Sequence, residues 1–186
     1  VIPKSHRDKW AELQLPKGVR VTGLRPNEER PAFSHDQIAQ IFRHPVFTGR
    51  QSAFVYNKPG KVILRDSLYW GFLVAAFHPM RREEFAQLTV QCVRQIDGIW
   101  VFDLHHHSLA LKNPWSARLV PLHKRFLELG FIEALVEGRN GSELLFKELS
   151  RSAVHEKYGD EIGRRAARVL DSLGIDIDEN TDEAHR

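Results

Sequence analysis

The residues best suited to chemistry lie between positions 66 and 123. Arg81 and Glu84 stand three apart in Pro79-Met80-Arg81-Arg82-Glu83-Glu84. An arginine just inside a helix start can aim its guanidinium into a cleft beside free backbone N–H groups, and both favour an anion. Glu84, one turn later, can orient that guanidinium through a charge-assisted pair. On spacing alone, a solvent-facing i,i+3 ion pair explains the two residues more simply. Lys112 precedes Asn113-Pro114 after a polar loop. From a hairpin tip its ammonium could reach a phosphate or a leaving-group oxygen; taken alone it reads as a surface lysine. His105-His106-His107 raises metal binding, because alternate residues of a strand share a face. No second ligand pair at suitable spacing accompanies them and the single cysteine, Cys92, is remote in sequence. They read as strand-end or exposed histidines, and no metal is expected. His78 reads as a helix-end residue and not a catalytic one. Of the three tyrosines, Tyr69 belongs to the core and Tyr158 to the start of the last helix.

The elements that must place these groups are legible in outline. Residues 66–77 are apolar almost all round, which predicts a central buried helix. His78-Pro79 stops it, and the proline suits the first turn of the helix that follows. Phe85 and Leu88 point that second helix inward. Residues 93–104 read as two strands around Asp97-Gly98, a hairpin signal, and Leu119-Val120-Pro121 as a third short strand. Upstream, Ser34-His35-Asp36-Gln37 is a capping-box pattern. It opens a short helix with Ile38, Ile41 and Phe42 on its apolar face, ending near His44-Pro45. Residues 46–63 read as irregular, with Gly49 and Asn57-Lys58-Pro59-Gly60 as turn signals. Downstream, helices are expected over 122–129 and 131–137, closed by Gly130 and Gly138. Ile162, Ala166, Val169, Leu170 and Leu173 recur at helical spacing before Gly174. The fold class is therefore α+β, mainly α, with a small antiparallel sheet.

The chain's 186 residues and 42% hydrophobic content suit one domain with an extra arm. Residues 1–33, with Pro3, Pro16, Pro26 and Pro31, read as a linker or arm, and residues 176–186 as an acidic tail. The net charge is only +3, but the last sixteen residues hold six acids and one base. The remainder carries 26 bases against 18 acids, a balance that suits a polyanionic partner and equally an ordinary solvated surface. One cysteine excludes an intramolecular disulfide and points to a reducing compartment. No apolar run is long enough for a membrane span, and no secretory signal is expected. A cytoplasmic location is expected. The first residue is Val1, which suggests a piece of something longer.

These residues together resemble the catalytic domain of the tyrosine recombinases, the phage-integrase family. That family's first box reads G-x-R-x-x-E-x-x-x-L, and Pro79-Met80-Arg81-Arg82-Glu83-Glu84-Phe85-Ala86-Gln87-Leu88 follows it apart from the glycine. The hairpin with Ile96-Asp97-Gly98-Ile99-Trp100, the loop from Lys112 to Arg118, and Val120-Pro121-Leu122-His123 match in order and spacing. So do Phe42-Arg43-His44-Pro45-Val46-Phe47-Thr48-Gly49 and Gly130-Phe131. The box alone is a weak signal; the ordered set across about 34–175 is a specific one.

The resemblance implies a helical recombinase catalytic domain over 34–175 that cuts and rejoins double-stranded DNA. A tyrosine would attack a phosphodiester and form a 3′-phosphotyrosyl link, with neither metal nor nucleotide cofactor. Arg81 and Lys112 would be the catalytic residues, with Glu84 supporting Arg81. Arg82, Arg118 and His123 are candidate DNA-contacting residues. The full-length parent would act as a homo-oligomer, a tetramer on paired sites. The family's second box, H-x-x-R, and its nucleophilic tyrosine are expected after Leu173-Gly174-Ile175, and the chain holds neither. It is therefore expected to be an inactive part of a recombinase. The alternative is a non-catalytic DNA-binding remnant. Pro79 in place of the family's glycine, and Cys92 where aspartate is common, depart from the pattern.

Overall fold

The aromatic helix at the centre of the sequence is also the centre of the structure, a computed structural model that describes residues 32–175. The expected acidic tail, and all but the last two residues of the expected linker, lie outside the described residues. The described elements from Ser34 onward belong to one unit. They comprise seven helices and three strands. The chain is thus mixed α+β, mainly helical, with a small antiparallel sheet. No described helix is long and apolar enough to cross a membrane.

Helix α1 spans His35–Arg43 and α2 Pro45–Thr48. Both halves of the α1 capping box form: Ser34 Oγ accepts the Gln37 N–H at 3.2 Å, and Gln37 Oε1 accepts the Ser34 N–H at 2.9 Å. Ile41 is buried, whereas Ile38, expected on the same apolar face, is exposed. The expected irregular stretch at 46–63 contains α2, a single turn that the sequence reading misses. His44 is extended and its Nδ1 accepts the Val46 N–H, while Pro45 occupies the first helical position, so one helix stops and another starts within two residues.

The loop after α2 closes tightly. A Cβ on Gly60 would fall 2.4 Å from the Arg50 carbonyl oxygen, and one on Gly49 2.5 Å from that of Gly60, so the approach admits only glycine. It buries Arg50 completely, with Nη2 donating to Asp66 Oδ2 at 2.8 Å. Asp66 also caps the next helix, accepting the Tyr69 N–H, and takes a second guanidinium from Arg165 at 2.8 Å.

That helix, α3, spans Ser67–Phe77. It buries Leu68, Tyr69, Trp70, Leu73 and Val74, while Phe77 at its end stays exposed. Trp70 is the hub: its ring centroid lies 4.8 Å from that of Phe131 and 5.2 Å from that of Phe126. Phe102 of the sheet closes the cluster, 5.8 Å from Phe131. The next helix, α4, spans Arg82–Ala86, with Phe85 and the following Leu88 buried as expected. Pro79 was expected in its first turn. It lies instead in the extended connection ahead of it, because Arg81 is itself the cap residue, with φ −74° and ψ 149°.

Strands β1 (Val93–Ile96), β2 (Ile99–Asp103) and β3 (Leu119–Pro121) form an antiparallel sheet in that order. Asp97 (φ 50°) and Gly98 (φ 79°) both take the left-handed conformation, the two-residue turn whose twist matches the strands. The register runs Ile96↔Ile99 and Phe102↔Val120. Pro121 sits on the edge strand, where its missing N–H costs no ladder bond. Helices α5 (Lys124–Glu128) and α6 (Phe131–Leu135) follow, joined through Gly130 at φ 72°. The first starts two residues later than expected, because the strand consumes Pro121 and the His123 Nδ1 caps it by accepting the Arg125 N–H. The last helix, α7 (Gly159–Ser172), packs on α3 and α4, and Gly174 follows it at φ 65°.

Trp70 is fully buried and its indole N–H has no partner. Trp70→Ala is expected to lower the unfolding free energy by about 3–5 kcal/mol. Trp70→Phe, which keeps a ring and removes the orphan donor, is expected to cost clearly less. Urea denaturation of both variants checks this; equal losses would show that the cluster does not depend on the ring.

Candidate functional site

Glu84 is the residue on which the site is assembled. It lies on the inward face of α4 and is 3% exposed, so its charge needs partners. Oε2 accepts the Arg81 backbone N–H at 2.9 Å, which holds Arg81 extended and starts the helix. Oε1 accepts from Arg81 Nη1 at 2.8 Å. The second guanidinium on the same carboxylate is that of Arg118, with Nη2 donating to Oε2 at 2.9 Å. Arg118 also donates to the Pro79 carbonyl and, at 2.7 Å, to that of Ser116. Burial pushes the Glu84 carboxyl up, but the hydrogen bonds from Arg118 and from both the amide and guanidinium of Arg81 outweigh it. The net effect holds the carboxyl below its usual range.

Arg118 arrives through a short loop. Pro114–Ser116 forms a 3₁₀ turn, and the buried Ser116 hydroxyl accepts from Arg81 Nη1 at 2.8 Å while donating to Asn113 Oδ1 at 3.0 Å. Arg81 is thus gripped on one edge by Glu84 and Ser116. Among the described residues its Nε and Nη2 have no acceptor, and its side chain is 55% exposed. It faces an open pocket of about 580 Å³ lined also by His78, Asn113, Trp115, Ser116 and Arg118. Two guanidiniums against one carboxylate leave the site with a net positive charge. An anion offering two oxygens could dock on the open edge of Arg81.

The structure therefore unites Arg81, Glu84 and Arg118, and the solvent-facing ion pair is not what forms, since Glu84 is buried. Lys112 is exposed and next in sequence to the pocket residue Asn113; among the described residues it makes no ion pair. Arg82 is not brought into the cluster. It reaches toward α7, 3.9 Å from Asp160, and lies over Gly163, where a Cβ would clash with its guanidinium. The His123 ring also serves the fold. It stacks on Phe77 at 4.5 Å, and the residue's backbone N–H donates to His78 Nε2 at 3.0 Å. His105 pairs with Asp103, and His106 stacks against His107. Among the described residues no group of three or more His, Cys, Asp or Glu is placed to hold a metal.

Sequence reading assigned no role at the site to Ser116, Asn113 or the buried His78. Ser116 and Asn113 stand inside the loop between Lys112 and Arg118, but the Ser116 bond to Arg81 spans more than thirty residues and leaves no local signal, and Asn113 acts only by accepting from Ser116. His78 ends α3 as expected and also forms part of the pocket wall. Accepting the His123 N–H requires a neutral ring with its proton on Nδ1, and that atom is buried without a partner. Burial, and then the nearby His123, lower its pKa from 6.5 to about 4. No family model, curated protein or solved structure matches the chain.

Two outcomes follow from this geometry. Glu84→Ala leaves two guanidiniums without their carboxylate and is expected to cost about 2–4 kcal/mol. Arg81→Ala, at an exposed position, is expected to cost about 1 kcal/mol or less; thermal and urea unfolding compare the two. The pH dependence has a definite sign. In the unfolded chain His78 binds a proton near pH 6.5, and in the folded chain only near 4, so stability falls as pH drops through that window. His44, also lowered by burial, adds to the same slope. Glu84 and Asp66, both held below their usual range, add losses only in more acid solution. The urea midpoint of His78→Gln is expected to fall less steeply than that of the parent between pH 6.5 and 5. Parallel curves would contradict a neutral buried ring.

Proposed function

We propose that this chain carries the phosphate-holding part of a tyrosine-recombinase catalytic domain. It would act in the cytoplasm on double-stranded DNA, within a parent enzyme assembled as a tetramer on paired sites. The observation that carries the proposal is the Arg81–Glu84–Arg118 cluster. A buried carboxylate holds Nη1 of a half-exposed arginine that lines a positively charged pocket, and leaves its Nε and Nη2 without an acceptor among the described residues. The ordered motifs around it supply the family.

In the parent, Arg81 would bind the non-bridging oxygens of the scissile phosphate. There it would neutralise charge that grows as a tyrosine oxygen, its proton passed to water, bonds to phosphorus. As that bond forms, the bond to the 5′ oxygen breaks. Lys112, exposed beside the pocket, would give that oxygen its proton. A 5′-hydroxyl from a second strand reverses the step and rejoins DNA. Glu84 would act through Arg81. Arg118, on the same carboxylate, would hold Glu84 and add positive charge.

Among the described residues no tyrosine is placed for the first step. Tyr69 is in the core, Tyr56 lies under the Arg165 guanidinium, and Tyr158 precedes α7 with Arg151 over its ring. None of them lines the pocket. For residues 1–186 alone, the reading is DNA binding without cleavage.

Incubation with a nicked suicide duplex is expected to yield no SDS-resistant protein–DNA band. Anisotropy is expected to show duplex affinity falling at least tenfold between about 50 and 200 mM salt, because phosphate contacts release counterions. In a parent that includes the nucleophile, Arg81→Ala and Lys112→Ala are each expected to abolish cleavage with binding nearly kept. Salt-independent binding, or a covalent band from residues 1–186, would overturn this reading.

A further inference from the structure

The rim of the arginine pocket holds a side chain that neither the fold nor the phosphate chemistry uses. Trp115 is 92% exposed and lines the same pocket as Arg81 and Arg118. It is the middle residue of the Pro114–Ser116 turn, and both of its neighbours are constrained. Pro114 restricts the backbone before it, and Ser116 after it is buried with its hydroxyl on Arg81. The amides of Ser116 and Ala117 close the turn on the carbonyls of Asn113 and Pro114. The indole is therefore mounted one residue from an Arg81 contact, on a turn with little freedom to fold it away. So large an apolar surface in water is unfavourable unless a partner covers it.

The contrast with other aromatics is informative. Trp70 is in the core and Trp100 is half-buried in the sheet. Phe54 is as exposed as Trp115, but it lines a different cavity, where Arg65, Arg165 and Arg168 are balanced by Asp66, Glu148 and Glu161. Among the described residues, only at Trp115 does an open aromatic face adjoin a site of net positive charge. A ligand that answers both features carries an anion and, next to it, a flat π surface.

We propose that Trp115 stacks on a nucleobase adjoining the phosphate bound by Arg81 and Arg118. This rests on reading the pocket as a DNA-phosphate site. Bases inside a duplex are covered on both faces, so the indole meets a base only where one is unpaired and unstacked. Stacking tolerates any base, because each has a π face. The pocket then selects local strand opening beside the phosphate and not base identity.

The test is a binding cycle with residues 1–186 and fluorescein-labelled duplexes carrying a short unpaired stretch, either with its bases or abasic. Trp115→Ala is expected to weaken binding of the base-bearing stretch about tenfold, Trp115→Phe to keep most of it, and Phe54→Ala to change nothing. Removing the bases is expected to bring the parent protein down to the Trp115→Ala level and leave that variant unaffected. If Trp115→Ala binds like the parent, or if base removal weakens both equally, the stacking assignment is overturned. If binding in that same series stays steeply salt-dependent, the phosphate reading survives its loss. If binding does not depend on salt, or neither duplex binds, both readings fall together.

Discussion

The burial of one carboxylate, Glu84, sets the terms for everything around it. A charge that is 3% exposed must be matched by donors of good geometry or it would not stay ionised. Here the donors come from three places: the backbone entering α4, the side chain of the same cap residue, and an arginine reaching back from the edge of the sheet. Meeting the needs of Glu84 thereby joins the helix to the strand β3. Helix α4 has only five residues, too few to be stable alone. It persists because each of its side chains is claimed. Glu83 accepts the Tyr158 and Gly159 amides at the start of α7, Phe85 enters the core, and Arg82 lies along α7.

Asp66 plays the corresponding part on another face of the molecule. It caps α3 and receives Arg50 from the glycine-closed loop and Arg165 from α7. Two arginines on one carboxylate recur at both places, with opposite results. Arg50 is sealed from water, with Nε and Nη1 unpartnered, and serves the fold. Arg81 keeps one edge in solvent and is free to meet a ligand. The aromatic cluster around Trp70 lies under both sets of helices and fixes the direction in which α3 delivers His78 and the chain onward to Arg81.

The pocket owes its character to what its residues do not do. Arg81 holds Glu84 and Ser116 through Nη1, which restrains its side chain, while its Nε and Nη2 have no acceptor among the described residues. Preorganised charge of this kind loses little on binding and acts most strongly where charge develops. Trp115 is placed by the Pro114–Ser116 turn, and Lys112 stands exposed two residues before that turn. That division, a buried anchor with exposed side chains beside it, lets a short loop keep its shape without a large supporting structure.

Much of this was legible in residue order. The capping box at Ser34, the apolar helix after Asp66, the Asp97-Gly98 turn, the short strand at Leu119–Pro121 and the glycine stops at 130 and 174 are local signals. Each depends on residues within a turn of one another, so each survives into the structure. The single turn at Pro45–Thr48 and the cap position of Arg81 were missed, since both are decided by which neighbour supplies a hydrogen bond. Sequence determined the pairing of Arg81 with Glu84 as a possibility of spacing. Only the tertiary structure decided that the pair is buried on one side, that Arg118 and Ser116 complete it, that Arg82 turns to α7 and that the His123 ring packs on Phe77. Spacing sets which side chains share a helical face; what lies opposite that face is set by chain segments thirty or more residues away, brought there by the burial of the aromatic core.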